Sequence, residues 1–295
     1  MSISGRRNAV SDDTEIKAGY LYGGWRRAVN AASSAGSGSI HDTDTAQNLG
    51  MRGGAVVGIV HLNLFPPLIL KTFGQQWFEK GSLSIFYTYA LVDGEQVRGA
   101  MGLPPEEKKD VQVEAWAESQ DGHTVGKGTI AAGEPEELSY LQEIEFKNAE
   151  PGDLRILAGL NPGDDLPSRD FLITREMVDR SLETITDTLD WYKGDSPWGG
   201  AIAPPSLMHR AMNINPPRPE EVVGFFGATE LRNINGPVKV NVPYRAGGKL
   251  ACVGASSKTE FYWIETYLDE ADSGKRVAEM THMTRLMKAS SPLYK

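Results

Sequence analysis

The sequence predicts an α+β protein made of two copies of one unit, each a long buried helix wrapped by an antiparallel sheet. Three observations carry this reading. Residues 51–140 and 197–290 follow the same order of segments. In each, a small-residue, apolar stretch of helical length comes first, RGGAVVGIVHLNLF in one copy and WGGAIAPPSLMHRAM in the other. Alternating runs with Gly- or Asp-bearing turns then follow, GSLSIFYTYALVDGEQVRGAMG and VQVEAWAESQDGHTVGKGTIAAG against GPVKVNVPYRAGGKLACVGASSK and FYWIETYLDEADSGKRVAEMTHMTRL.

Along the chain, residues 1–15 are polar and read as frayed, and YLYGGWRRAVNAA reads as a strand or short helix packed on the first unit. The stretch AASSAGSGSI (31–40) is flexible in composition and delivers His41. In HDTDTAQNLG, Asp42 or Thr43 can cap a short helix that Gly50 ends. Ala55 to Phe65 is apolar on nearly every face, so the helix expected there, Val57 and Ile59 included, must be wholly surrounded by protein. Pro66-Pro67 should end or bend it.

From Gly81 to Ala132 the strand-rich segments turn at 92–94, 103–109 and 120–123. Residues 147–170 (NAEPGD, NPGDDLPSRD) read as a surface connection, which puts a boundary near 150 and divides the chain into domains 1–150 and 151–295. The second domain opens with ITREMVDRSLETITDTLDWY, a helix that Thr174 can cap with Glu176 in its first turn. GDSPWGG then leads into the second central helix, expected to begin near Ala201.

Composition sets the functional limits. A chain of 295 residues with 40% apolar content can supply two cores. Its formal charge of −9 is spread along the sequence and opposes phosphate backbones and anionic bilayers, so neither nucleic acid nor membrane is expected as a partner. The lone Cys252 lies in a strand-like run and reads as a buried structural thiol, which fits a reducing cytoplasm. The N-terminus lacks the apolar core of a secretory signal, and His61, Asn63 and the proline pair interrupt the longest apolar run. Five His and one Cys are scattered without ligand spacing, and the Gly-rich stretches form no phosphate cradle, so no metal and no cofactor is expected.

At GSIHDTDTAQNLGMRGGAVVGIVHLNLF the chain resembles the MaoC-like hydratase and dehydratase branch of the hotdog superfamily, whose signature is an Asp, then Asn-Pro, a hydrophobic residue and His, followed by a Gly-rich entry to the central helix. The resemblance implies a double hotdog. It covers about thirty residues as motif and most of the chain as architecture, and His41 falls where the family's catalytic His lies. Gly36 and Gly38 stand where the family has its Asp and Asn, and Val57-Gly58 where it has His-Gly. In the second copy Asp187 takes the place of His41, so the second half resembles a substrate-shaping partner and the first the half that does chemistry.

In that fold a thioester carbonyl lies at the N-terminus of the central helix, which makes the Gly58 backbone the expected donor to its oxygen, although a glycine there also serves close packing. Moving water across a conjugated double bond needs an acid and a base; His41 assisted by Asp42 or Asp44 could supply both, while the two aspartates read more readily as ordinary first-turn helix residues. Val57 and His61, and the aromatic group Trp191, Tyr192 and Trp198, are the candidate substrate contacts; a core role competes for each. The leading reading is a hydratase or dehydratase, a lyase acting on an acyl thioester such as an enoyl-CoA or on a related bulky carbonyl compound. An acyl thioesterase of the same fold and a non-catalytic ligand-binding or partner subunit stay open beside it. The expected assembly is a monomer or a homodimer, the dimer favoured.

Overall fold

The computed structural model describes residues 13–33, 38–105, 109–184, 189–219 and 221–295. Its centre is one twelve-stranded sheet, antiparallel throughout. The first half of the chain contributes β1 (Glu15–Lys17), β2 (Tyr20–Tyr22), β3 (Arg26–Arg27), β4 (Gly81–Tyr87), β5 (Gln96–Gly102), β6 (Val111–Ser119) and β7 (Thr124–Ala132). The second contributes β8 (Asp165–Leu172), β9 (Gly224–Asn233), β10 (Pro243–Ala255), β11 (Thr259–Glu270) and β12 (Arg276–Met287). The order is β1-β2-β5-β6-β7-β4-β9-β12-β11-β10-β8, with β3 beside β5. The halves meet at β4 and β9, paired from Gly81↔Asn233 to Phe86↔Ala228, so no open edge interrupts the sheet between them.

Alternation explains which face is buried. Along β6 every second residue from Val111 to Ser119 is buried, and Gly94 and Gly122, both at positive φ, make the turns that the Asp-Gly dipeptides announce. The helices are α1 (Thr43–Asn48), α2 (Pro66–Phe73), α3 (Gln76–Glu79), α4 (Arg175–Leu182) and α5 (Pro205–Met212). Asp42 caps α1 by accepting the Thr45 N–H at 2.8 Å, and Thr174 caps α4 by accepting from Met177. On the other face of the sheet, Leu141, Ile144 and Phe146 of the connection between the halves cover Ala228, Cys252, Trp263 and Met283. Cys252 is fully buried there.

Both central helices differ from the expectation. Ala55 is bridged to Val92 as extended chain, Gly58–Leu64 is a 3₁₀ segment, and the proline pair opens α2 instead of ending a helix. Proline has no N–H to lose at the first helical position and its fixed φ suits that place. The second half repeats the pattern: Ile202 bridges Lys239 and the helix begins at Pro205, not near Ala201. Val57 and Ile59 are half-buried rather than enclosed. The connection also ends sooner than composition suggests, because Asp165–Leu172 forms the edge strand β8. Pro167 and the charges of Asp165, Arg169 and Asp170 hide it from a strand reading, and they are what keeps such an edge from pairing further.

Asn63 of the 3₁₀ segment joins the two centres: its side-chain oxygen accepts the Ser206 N–H in the first turn of α5 at 3.2 Å, with both residues buried. No described helix is long and apolar enough to cross a membrane.

Candidate functional site

The loop before α1 and the extended run Gly54–Val56 lie side by side, with the Ala55 N–H donating to Ile40 O at 2.8 Å and the Val56 N–H to Leu91 O at 2.8 Å. Asn30 clamps the pair by donating from Nδ2 to His41 O at 2.9 Å and Gly54 O at 3.3 Å. His41 Nδ1 lies 2.6 Å from Ala55 O. A carbonyl only accepts, so Nδ1 carries a proton, and in the neutral ring the lone pair is on Nε2.

A cavity of about 310 Å³ opens beside this ring, walled by apolar side chains including Ile40, Met51, Tyr89, Phe225 and Met287. Three residues singled out from the sequence meet there: His41, Gly58 and His61. Gly58 begins the 3₁₀ segment, whose first N–H groups have no acceptor within it. A Cβ on Gly58 would lie 3.6 Å from the Tyr87 ring, an ordinary contact, so packing alone does not demand glycine. His61 is 5% exposed, and burial pushes its pKa down to about 4, which keeps it neutral near pH 7.

Behind the cavity runs a buried polar chain. The Tyr87 hydroxyl donates to Thr229 Oγ1 at 3.1 Å, Thr229 Oγ1 lies 2.9 Å from His282 Nδ1, and His282 Nε2 lies 3.3 Å from Thr284 Oγ1. Burial raises the Tyr87 phenol above its usual range and lowers His282 to about 3. A second cavity of about 770 Å³ lies against Val57, Ile59 and Val60 on one side and α4 and α5 on the other.

Other expected site residues lie elsewhere. The Asp42 carboxylate is committed to the α1 cap, where the Thr45 N–H and hydroxyl hold its pKa below the usual value; Asp44 is exposed; neither lines the cavity. Among the described residues no carboxylate lines it. Val57 faces the second cavity. Trp191, Tyr192 and Trp198 line neither cavity: Trp191 packs edge-on against Phe78 at 5.2 Å and Trp198 at 5.3 Å, while Trp198 Nε1 donates to Glu79 at 2.8 Å, welding this loop to α3. Aromatic rings of that size serve the core between halves. Gly36 and Asp187 lie outside the described residues. Sequence reasoning missed Tyr87, Tyr89 and Phe226; Tyr87 ends β4 and Tyr89 follows it at the alternating position, the signal available, whereas Phe226 depends on a strand irregularity in β9. Among the described residues no group of three or more His, Cys, Asp or Glu side chains could hold a metal ion.

No protein-family model matches the chain, and no curated protein matches it by sequence. Its fold does match solved structures. A MaoC domain protein dehydratase from Chloroflexus aurantiacus, described as putative, superposes with a TM-score of 0.59 at 11% identity, over 90% of this chain and 93% of that one. A MaoC-like dehydratase gives 0.53 at 12%, over 90% and 97%. A conserved hypothetical protein of Mycobacterium tuberculosis with a double hotdog fold gives 0.56 at 10%, over 90% and 94%. Identities this low establish architecture and leave chemistry to the site. This chain has the double hotdog fold, in the form also taken by MaoC-like dehydratases.

Proposed function

We propose that the chain is a hydratase or dehydratase acting on an acyl thioester, such as an enoyl-CoA, or a related carbonyl compound, in the cavity beside His41. The observation that carries this is His41, held in one tautomer by Ala55 O, on the same apolar cavity as Gly58 at the start of the central 3₁₀ segment. Two fold neighbours are described as dehydratases, which supports the same reading.

In the dehydration direction Nε2 of neutral His41 takes the proton from the carbon next to the thioester carbonyl. The electron pair moves toward the carbonyl oxygen, which the N–H groups at Gly58 stabilise. The imidazolium returns its proton to the β-hydroxyl, which leaves as water while the double bond forms. One imidazole serves as base and then as acid, so the cycle balances without a carboxylate. His61, neutral and buried, lines the same cavity, which supports a place for it against the ligand.

The test is loss or gain of the conjugated chromophore on a 2-enoyl thioester, run on the parent and on His41→Ala. Release of free thiol instead would mark a thioesterase. A second reading, ligand binding without turnover, is favoured by the absence of a carboxylate among the described residues of the cavity. It predicts saturable binding with no chromophore change.

A further inference from the structure

The two cavities share one side chain, Phe226 of β9. Its position follows from a break in strand alternation. Thr229 and Leu231 face the inner side of the sheet, Thr229 meeting Tyr87 and His282 and Leu231 entering the main core. Ala228 faces the opposite side, packed in the cluster of Cys252, Trp263 and Met283. Unbroken alternation would send Phe226 to that side with Ala228. The ladder instead passes from Met283↔Ala228 to Thr284↔Phe226, leaving Gly227 as an extra residue. A bulge of this kind re-aims the neighbouring side chain. A Cβ on Gly227 would lie 2.2 Å from the Met283 methyl, so glycine suits the bulged position.

Turned inward, the Phe226 ring stands 4.7 Å from the ring of His282 and 5.0 Å from that of His209, centroid to centroid. His209 is 1% exposed and, among the described residues, neither of its ring nitrogens has a hydrogen-bond partner, so this side of the Phe226 ring meets another ring rather than a polar anchor. The 3₁₀ segment and the residue before it divide in the same place, with Gly58 and His61 on the smaller cavity and Val57, Ile59 and Val60 on the larger. A chain passing Phe226 would therefore meet Val57, Ile59, Val60 and Leu207 on the far side, with the polar side chains of Glu176, Arg180 and Arg210 lining the rest of that cavity.

We propose that Phe226 is the partition between the two cavities and sets the length limit of the ligand's apolar part, so that a straight acyl chain stops against its ring and reaches the larger cavity only when the ring is removed. This rests on the acyl-thioester reading above.

The experiment is a length series. Saturated acyl-CoA thioesters from butanoyl to hexadecanoyl are titrated by calorimetry into the parent, Phe226→Ala, Phe226→Leu and Phe226→Trp, and the matching 2-enoyl thioesters are assayed for turnover. Affinity in the parent should rise with chain length and then break off. Phe226→Ala should move the break to longer chains, with a gain of at least about tenfold for the first chain the parent rejects, the scale of discrimination an apolar pocket achieves. Phe226→Trp should move it to shorter ones. If Phe226→Ala does not fold, opposite shifts in the Leu and Trp variants support the partition and identical breaks refute it. If the parent turns over enoyl thioesters but no variant moves the break, the partition alone is wrong. If the parent neither binds nor converts any member, the proposed function fails, and the length limit fails with it.

Discussion

A Cβ placed on Gly54 would stand 2.4 Å from the backbone oxygen of His41. Only a hydrogen at that position lets the His41 loop lie against the extended run that opens the cavity. Neither chain can yield cheaply, since the obstructing atom is backbone that Asn30 also holds. Gly54→Ala should cost about 1–3 kcal/mol of stability, the range for overpacking, and lower turnover by shifting His41. Urea denaturation and an activity assay on one preparation check both; a variant with parental stability and rate would show that the loop has slack.

His41→Ala removes a half-buried loop ring and few core contacts. Its melting temperature should stay within a few degrees of the parent while turnover falls roughly 10²-fold or more, the range for a general acid/base. Parental turnover would move the chemistry away from this cavity.

Asn63→Ala should cost about 1 kcal/mol, as the loss of a helix cap does, because it leaves the Ser206 N–H buried without its acceptor. The effect should appear as a lower denaturant midpoint with an unchanged slope, since both halves lose the same link in one transition.

Acid should unfold the protein early. His61, His209 and His282 are buried and neutral, each with a pKa in the folded state below its unfolded value of about 6.5, so unfolding takes up protons as the pH falls. Their contribution is complete above about pH 6.5 and is lost as the pH drops toward about 4 for His61 and about 3 for His282. For His61 and His282 the loss is on the order of a few kcal/mol each. Urea midpoints measured from neutral pH downward should fall steadily, and His61→Gln should flatten part of that slope. A profile flat across this window would contradict the burial of these rings.

Glu260 adds to the acid side. Burial alone would raise its carboxyl, but the Tyr294 hydroxyl and the N–H groups of Arg155, Ile156 and Leu157 outweigh burial and hold it below the ordinary value. Its stabilisation is therefore present above the unfolded pKa and lost as pH falls through the folded one. Glu260→Gln should be weaker than the parent at neutral pH by about 1–3 kcal/mol, with the gap closing in acid.

The repeated order of apolar run and alternating strands was enough to read two copies of a helix and antiparallel sheet, because strand alternation and Asp-Gly turns are local properties; the double hotdog itself came from the family resemblance. What sequence could not show was how the chain enters the central segments. Val-Val-Gly-Ile-Val looks helical by apolar content, yet its β-branched residues and the prolines behind it favour an extended entry and a late helix start. His41, Gly58 and His61 line one cavity, an arrangement legible in part because loop position and helix entry are readable; Asp42 takes the capping role that the sequence allowed beside a catalytic one, since a capping carboxylate and a catalytic one look alike in a sequence. Phe226 was invisible, since one extra glycine decides which way its ring points.

The junction between β4 and β9 has a mechanical meaning. Six consecutive register pairs, Gly81↔Asn233 to Phe86↔Ala228, bind the halves side by side. A protease cut in the peptide between them would leave two fragments that still migrate as one particle, because backbone pairing, not the covalent link, carries the load. Tension applied across the two ends of the sheet would meet its resistance in the ladders and not in that tether, so the molecule should yield in one abrupt event rather than by paying out its linker first.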